Sequence, residues 1–118
     1  MQNNLSIIIL AAGKGTRMKS DLPKVLHKIN GKPMIDQVIS TAKKLNPFQI
    51  ITVIGYKHEI LEDHLKNQNL NFAYQFNQKG TGHAVSKTKN FFNNHNGDVL
   101  ILSGDVPMLS YKTLDQLW

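Results

Sequence analysis

The sequence contains no cysteine and a single tryptophan. Without thiols there is no disulfide framework, no thiolate metal site and no cysteine nucleophile, a composition suited to a reducing compartment. Acidic residues are scarce, eight against fourteen lysines and arginines, which leaves a formal net charge of +6. Long apolar runs are missing too. The longest, residues 7–12, falls far short of the roughly 20 residues that a membrane-spanning helix requires. The N-terminal residues carry no basic region followed by an apolar stretch, so no secretory leader and no membrane partner are expected, and the expected location is the cytoplasm. The five histidines show no ligand spacing such as H-E-x-x-H. No internal repeat and no low-complexity tract interrupts the chain.

What is present describes an ordinary globular domain: 118 residues, 41% hydrophobic and 19% charged, enough for one hydrophobic core. Positive charge favours anionic partners, although taken as a sum it equally describes a lysine-coated surface. Its distribution is more informative. Lys14, Arg17, Lys19, Lys24, Lys28 and Lys32 lie close together, with Asp21 the one acid among them. No aromatic RNA-binding pair or recognition-helix motif accompanies them, so a nucleic-acid partner is not expected.

Residues 5–11, LSIIILA, form a continuous apolar, β-rich run without alternation, the pattern of a strand buried on both faces. Met34, Ile35, Val38, Ile39, Ala42 and Leu45 recur at helical spacing behind Pro33, and Asn46-Pro47 ends that helix. Residues 50–54 read as a second buried strand, and Ile60, Leu61, His64 and Leu65 mark a second helix. Residues 70–76 read as a third strand. A tight loop follows, in which Thr81 is placed to cap a helix over 84–92. Residues 98–102 read as a fourth strand, and Ser110 is expected to cap a last helix with Tyr111, Leu114, Leu117 and Trp118 on its apolar side. Alternation of this kind predicts an α/β fold: a Rossmann-like, doubly wound, mostly parallel sheet with helices on both faces. Ligands of such sheets bind at the carboxyl ends of the strands, near the point where strand order reverses. Three segments qualify: 11–24, 75–82 and 103–107.

In the first of these, Leu10-Ala11-Ala12-Gly13-Lys14-Gly15-Thr16-Arg17-Met18, Gly13 and Gly15 permit positive φ and close backbone approach, so that successive N–H groups can converge on an anion. A dinucleotide fingerprint is excluded because Met18 stands where its third glycine belongs, and a Walker A loop because Ile8 stands where its first glycine belongs. On glycine spacing alone, a plain strand-to-helix turn with solvated lysines explains the segment equally well.

LAAGKGTRM followed by SDLPKVLH, GKPM at 31–34, QFNQKGTGHA at 75–84 and GDVPML at 104–109 together resemble the sugar-1-phosphate nucleotidyltransferases. The likeness is to the branch of uridyltransferase domains, found in bifunctional bacterial enzymes, that make UDP-N-acetylglucosamine. It spans nearly the whole chain and implies a fold of the nucleotide-diphospho-sugar transferase type. It also implies that residues 1–118 are the N-terminal portion of such a domain, with its remainder and a trimerising, acetyltransferase β-helix domain lying beyond.

The activity implied is attack by the phosphate of N-acetylglucosamine 1-phosphate on the α-phosphorus of UTP, releasing pyrophosphate, a reaction that demands alignment and charge neutralisation. By resemblance, Leu10, Ala11, Ala12 and Gly13 hold the nucleoside, while Arg17 and Lys24 act on the phosphates as the catalytic pair. Arg17 offers a bidentate fork and Lys24 a point charge. Gln75, Gln78, Gly80 and Thr81 are assigned to uridine; an amide such as that of Gln75 can accept from uracil N3–H and donate to O4. Ser103 and Gly104 are placed on the sugar-phosphate side, Ser103 standing where relatives often carry tyrosine. Asp105 is the expected Mg²⁺ ligand, since magnesium favours one or two carboxylates together with phosphate oxygens. His83 is left outside the site, as readily a packed histidine as a ligand-facing one. Two alternatives stand beside this reading: a transferase for another base or sugar phosphate, and a nucleotide-binding module without chemistry.

Overall fold

In the computed structural model, residues 4–13, 22–77, 79–93, 97–104 and 110–113 are described, the last four by backbone alone. Four apolar runs form the centre of the molecule: β1 (Ser6–Leu10), β4 (Gln49–Ile54), β5 (Asn71–Tyr74) and β6 (Asp98–Ser103). They pair in parallel in the order β5-β4-β1-β6. Ile7, Ile8 and Ile9 of β1 are wholly buried, the outcome expected of an unalternating run covered on both faces.

Among the described residues between β1 and β4 lie a 3₁₀ turn (Lys24–Leu26), a two-stranded hairpin of β2 (Lys28–Ile29) and β3 (Lys32–Pro33), and helix α1 (Met34–Lys44). The hairpin was not anticipated. Its turn residues, Asn30 at φ 55° and Gly31 at φ 83°, are an Asn-Gly pair, which readily adopts the two positive φ values of a two-residue turn. The Gln37 amide nitrogen of α1 ties the hairpin down by donating to the carbonyls of Ile29 (2.8 Å) and Lys32 (3.2 Å). α1 itself buries Ile35, Val38, Ile39 and Ala42, the i, i+3, i+4, i+7 stripe of an amphipathic helix.

Helix α2 (His58–Leu65) buries Leu61 and Leu65 and is joined to α1 by the His64 Nε2–Asp36 Oδ1 contact at 2.8 Å. Side chains of α1, α2 and the Lys24–Leu26 turn share one core with Ile7, Ile9, Ile50, Ile54, Leu100 and Leu102. Helix α3 (Thr81–Ser86) and a second 3₁₀ turn (Lys89–Phe92) cover the opposite face, where Ala84, Val85 and Phe92 pack on Ile8, Ile51, Val53, Val99 and Ile101. The chain therefore winds outward through α1 and α2 on one face. It returns through α3 on the other, placing β6 on the far side of β1, as right-handed crossovers require when strand order reverses.

Three expectations are corrected. The helix expected over 84–92 is two pieces, because the Lys87 and Thr88 amides bond three residues back and the Thr88 hydroxyl donates to the Val85 carbonyl at 2.7 Å. Thr81 is not the cap of α3; Gly80, at φ 96°, holds that position and makes no side-chain bond. The last expected helix begins instead as a strand, β7 (Ser110–Thr113), antiparallel to β6 with Asp98 opposite Thr113 and Ile101 opposite Ser110. Tyr and Thr favour strands, and the open edge of β6 offers unpaired peptide groups to such a segment. Leu114, Leu117 and Trp118 lie outside the described residues. No helix among the described residues is long and apolar enough to cross a membrane.

One core residue works against the fold. Thr52 of β4 is fully buried between Ile9 and Phe72 in register, and its hydroxyl has no partner among the described residues. Thr52→Val keeps the shape and removes the orphaned polar group, so the variant is expected to gain roughly 1 kcal/mol. A higher urea midpoint at unchanged slope would report this, and a lower one would show that the hydroxyl is satisfied.

Candidate functional site

The carboxyl ends of β1, β4, β5 and β6 gather the segments singled out in the sequence. Past β1, the chain stays strapped to its neighbours through Ala12. The Ala11 amide donates to the Val53 carbonyl (2.8 Å), the Tyr56 amide to that of Ala12 (3.2 Å), and the Gly104 amide to that of Leu10 (2.8 Å). Ala11 and Ala12 are buried and Gly13 is exposed. Gly13 does not have a positive φ, and a side chain there would meet nothing within 4 Å among the described residues. The positive φ that a glycine permits is therefore not used at Gly13, and Gly15 lies outside the described residues.

Gly104 is the opposite case. A Cβ there would lie 3.0 Å from the Leu10 carbonyl oxygen, 3.0 Å from Val25 Cγ1 and 3.3 Å from Ala11 Cβ. Val25 follows Lys24 in the 3₁₀ turn and is buried, so the close approach at Gly104 brings the lysine-bearing turn against the junction of β1 and β6. Pro23 starts that turn at φ −54° and accepts from the Leu26 amide at 3.0 Å. Lys24 itself is half-buried. Leu10, Ala11, Lys24, Ser103 and Gly104 thus converge where strand order reverses.

Gln75 follows β5 and is 3% exposed. Its main-chain amide donates to the Ile54 carbonyl at 2.8 Å, and its side-chain nitrogen lies 3.2 Å from the Gly80 carbonyl oxygen and 2.9 Å from His83 Nδ1. The nitrogen donates to the Gly80 carbonyl, and the roles in the His83 contact follow from the tautomer of that ring. Gly80 and Thr81 are exposed beside it. His83, left out on sequence grounds, proves to be the partner of Gln75; the signal available was its position eight residues on, in the first turn of the helix that follows the loop. Arg17, Gln78 and Asp105 lie outside the described residues. Among those described, no group of three or more His, Asp or Glu side chains is placed to hold a metal.

Tyr74 and Phe76 flank Gln75 and stack on one another at 5.7 Å, with the His58 ring edge-on to both. The Tyr74 hydroxyl donates to Glu62 Oε1 at 2.6 Å. That bond, with help from His58, holds the Glu62 carboxyl below its ordinary range against partial burial. The same bond and burial raise the Tyr74 phenol.

The chain belongs to the MobA-like NTP transferase domain family, which it matches over residues 7–118. It is thus a nucleotidyltransferase-type domain. Among solved structures it is similar to HddC from Yersinia pseudotuberculosis complexed with GMP-PN, with a TM-score of 0.72 at 26% identity over 85% of this chain and 47% of that one. A Methanothermobacter nucleotidyl transferase gives the same TM-score at 20% identity, over 87% of this chain and 51% of that one. So does a putative glucose-1-phosphate thymidylyltransferase from Bacillus anthracis in complex with a sucrose, at 23% identity over 86% and 44%. These last two bear on the fold alone. The chain spans about half the length of the structures it matches.

Two outcomes are expected. A Cβ on Gly55 would fall 2.0 Å from the Gln75 carbonyl oxygen, so Gly55→Ala should destabilise by about 1–3 kcal/mol; an unchanged thermal midpoint would show that the β5 end yields freely. Tyr74→Phe should lower stability near neutrality by less than about 1 kcal/mol, the pair being partly exposed. Because the folded Glu62 is depressed, its contribution is present above the ordinary carboxylate pKa and fades as pH falls through the folded value. Because the folded Tyr74 is raised, its contribution is present below about pH 10 and fades above it. Denaturant titrations should therefore show wild type and variant converging at both extremes, whereas a constant gap would leave packing as the whole effect.

Proposed function

We propose that this domain transfers uridylyl from UTP to N-acetylglucosamine 1-phosphate, giving UDP-N-acetylglucosamine and pyrophosphate. The observation that carries the reading is the convergence at the β1/β6 reversal. There, Leu10, Ala11 and Gly104 form a main-chain wall beside the turn bearing Lys24, with buried Gln75 at the neighbouring end of β5. The ordered motifs of the sequence support the particular substrates. In this reading Leu10, Ala11, Ala12 and Gly13 line the nucleoside, and Gln75, Gln78, Gly80 and Thr81 surround the base. Lys24 and Arg17 neutralise charge on the reacting phosphates, and Ser103 with Gly104 borders the sugar phosphate. Asp105, directly after Gly104, is the carboxylate suited to Mg²⁺, which when bound polarises the attacked phosphorus. An acetyltransferase β-helix domain and a homotrimer belong to the full-length protein in this reading, and the cytoplasm is its proposed location.

A second reading is transfer of a guanine nucleotide. It is favoured by the resemblance to HddC, solved with GMP-PN.

Calorimetric titration of the full-length protein with UTP, GTP, CTP and ATP, with and without Mg²⁺, separates these readings. Preferential UTP binding is expected; preference for GTP would replace the first with the second, and equal affinities would overturn both. Lys24→Ala in the full-length protein should lower kcat/KM by about 2–4 kcal/mol of transition-state stabilisation. An undiminished rate would remove Lys24 from the machinery.

A further inference from the structure

The Gln75 amide can be turned either way round in its pocket, and its neighbours settle which. The Gly80 carbonyl, 3.2 Å away, can only accept, so the group facing it must be the amide nitrogen. That nitrogen also lies 2.9 Å from His83 Nδ1. An amide nitrogen offers protons and no lone pair, so Nδ1 must accept and the imidazole proton must reside on Nε2.

His83 is well placed to impose this arrangement. It sits in the first turn of α3, next to Ala84 and Val85, which are buried against the sheet. Its carbonyl accepts from the Ser86 hydroxyl at 2.6 Å, and the Ala84 amide closes the helix start onto the same Gly80 carbonyl at 3.1 Å. The ring is thus carried by a short element anchored on both sides of it, facing a side chain that is almost wholly buried.

We propose that His83 is a positioning residue for base selection. Its Nδ1 holds the Gln75 amide with the nitrogen inward, so that whatever this amide offers a base it offers as an acceptor. This inference rests on the reading in which Gln75 meets the base. It extends that reading by naming the group that sets the polarity of recognition. Bases presenting a ring N–H at that position, uracil, thymine or guanine, are accepted. Cytosine and adenine present a ring-nitrogen lone pair there and oppose acceptor to acceptor, which leaves polar groups unpaired.

Two measurements on the full-length protein test this. Long-range ¹H–¹⁵N spectra report the ring tautomer of His83 directly; the Nε2–H form is expected in the wild type and is expected to be lost or mixed in Gln75→Leu. A proton found on Nδ1 in the wild type would overturn the clamp whatever the nucleotide results. The second measurement is the ratio of UTP to CTP affinity in three proteins. His83→Leu removes the acceptor and should reduce that ratio by about tenfold, the equivalent of one hydrogen bond. His83→Asn, whose side-chain oxygen falls near the position of Nδ1, should restore most of it. A His83→Leu protein that keeps the wild-type ratio would overturn the positioning role. A wild type that does not separate UTP from CTP, with the Nε2–H tautomer in place, would overturn the role of Gln75 in base reading and with it the consequence drawn here for selection.

Discussion

The rest of the molecule depends on β1 being hydrogen-bonded along both edges and covered on both faces. A strand in that position has no solvated side on which to place polar residues, which is why Ile7, Ile8 and Ile9 succeed one another without alternation. It also has to be where strand order reverses. Crossovers through α1 and α2 occupy one face and lead away toward β5, so the return through α3 must deliver β6 on the other side of β1. Connections leaving the two sides diverge there, and sheets of this kind hold their ligands at such a point. The site is a consequence of winding rule and burial before any of its side chains is considered.

The two helical layers then differ in what they bring to that end of the sheet. On the α1/α2 face the turn of Lys24–Leu26 is drawn inward by buried Val25 and Leu26, and Val25 meets the small surface of Gly104. A larger residue at 104 would push that turn away from β1, so a glycine in one strand end positions a lysine from a distant segment. Main-chain bonds accepted by the carbonyls of Val53, Ala12 and Leu10 fix the strand ends there. Rigidity of this kind matters for phosphoryl and nucleotidyl transfer, where catalysis lies chiefly in alignment and in preset charge.

How much of this could be read beforehand follows from burial. β1, β4 and β6 were legible because two-faced burial forces continuous apolar runs. α1 was legible because a helix with one buried stripe must show a 3.6-residue period. The hairpin at Lys28–Pro33 leaves Lys28, Ile29 and Lys32 exposed, so hydrophobic periodicity carries no trace of it, although Asn30-Gly31 was a turn signal in plain view. The break after α3 leaves no trace in the sequence because Ala84, Val85 and Phe92 keep roughly helical spacing across it; a buried hydroxyl at Thr88 ends the helix without altering the pattern. β7 is not legible because apolar residues three and four apart also occur by chance in a short segment, and the deciding influence is the open edge of β6, the strand just before it. In the site, motif resemblance assigned roles. The orientation of Gln75 depends on a carbonyl five residues away and a ring eight residues away, information that exists only after folding.

On the proposed reading, that orientation changes what kind of selection Gln75 can perform. A solvated amide at a loop end would present either face and select weakly, since water would compensate whichever base edge arrived. A buried amide whose nitrogen is already bonded twice cannot turn without leaving the Gly80 carbonyl facing an oxygen and His83 Nδ1 without a donor. Such losses are of the order of 1–3 kcal/mol for each unpaired buried group, enough to make the acceptor presentation effectively fixed. On the proposed reading, hydrogen-bond polarity is then decided at Gln75 and His83. Uracil and guanine, which share that polarity, must be told apart by ring size, a task for the space between the strand ends. The two criteria reside in different parts of the fold, so base class can change through loop length and shape while the amide and its histidine stay as they are.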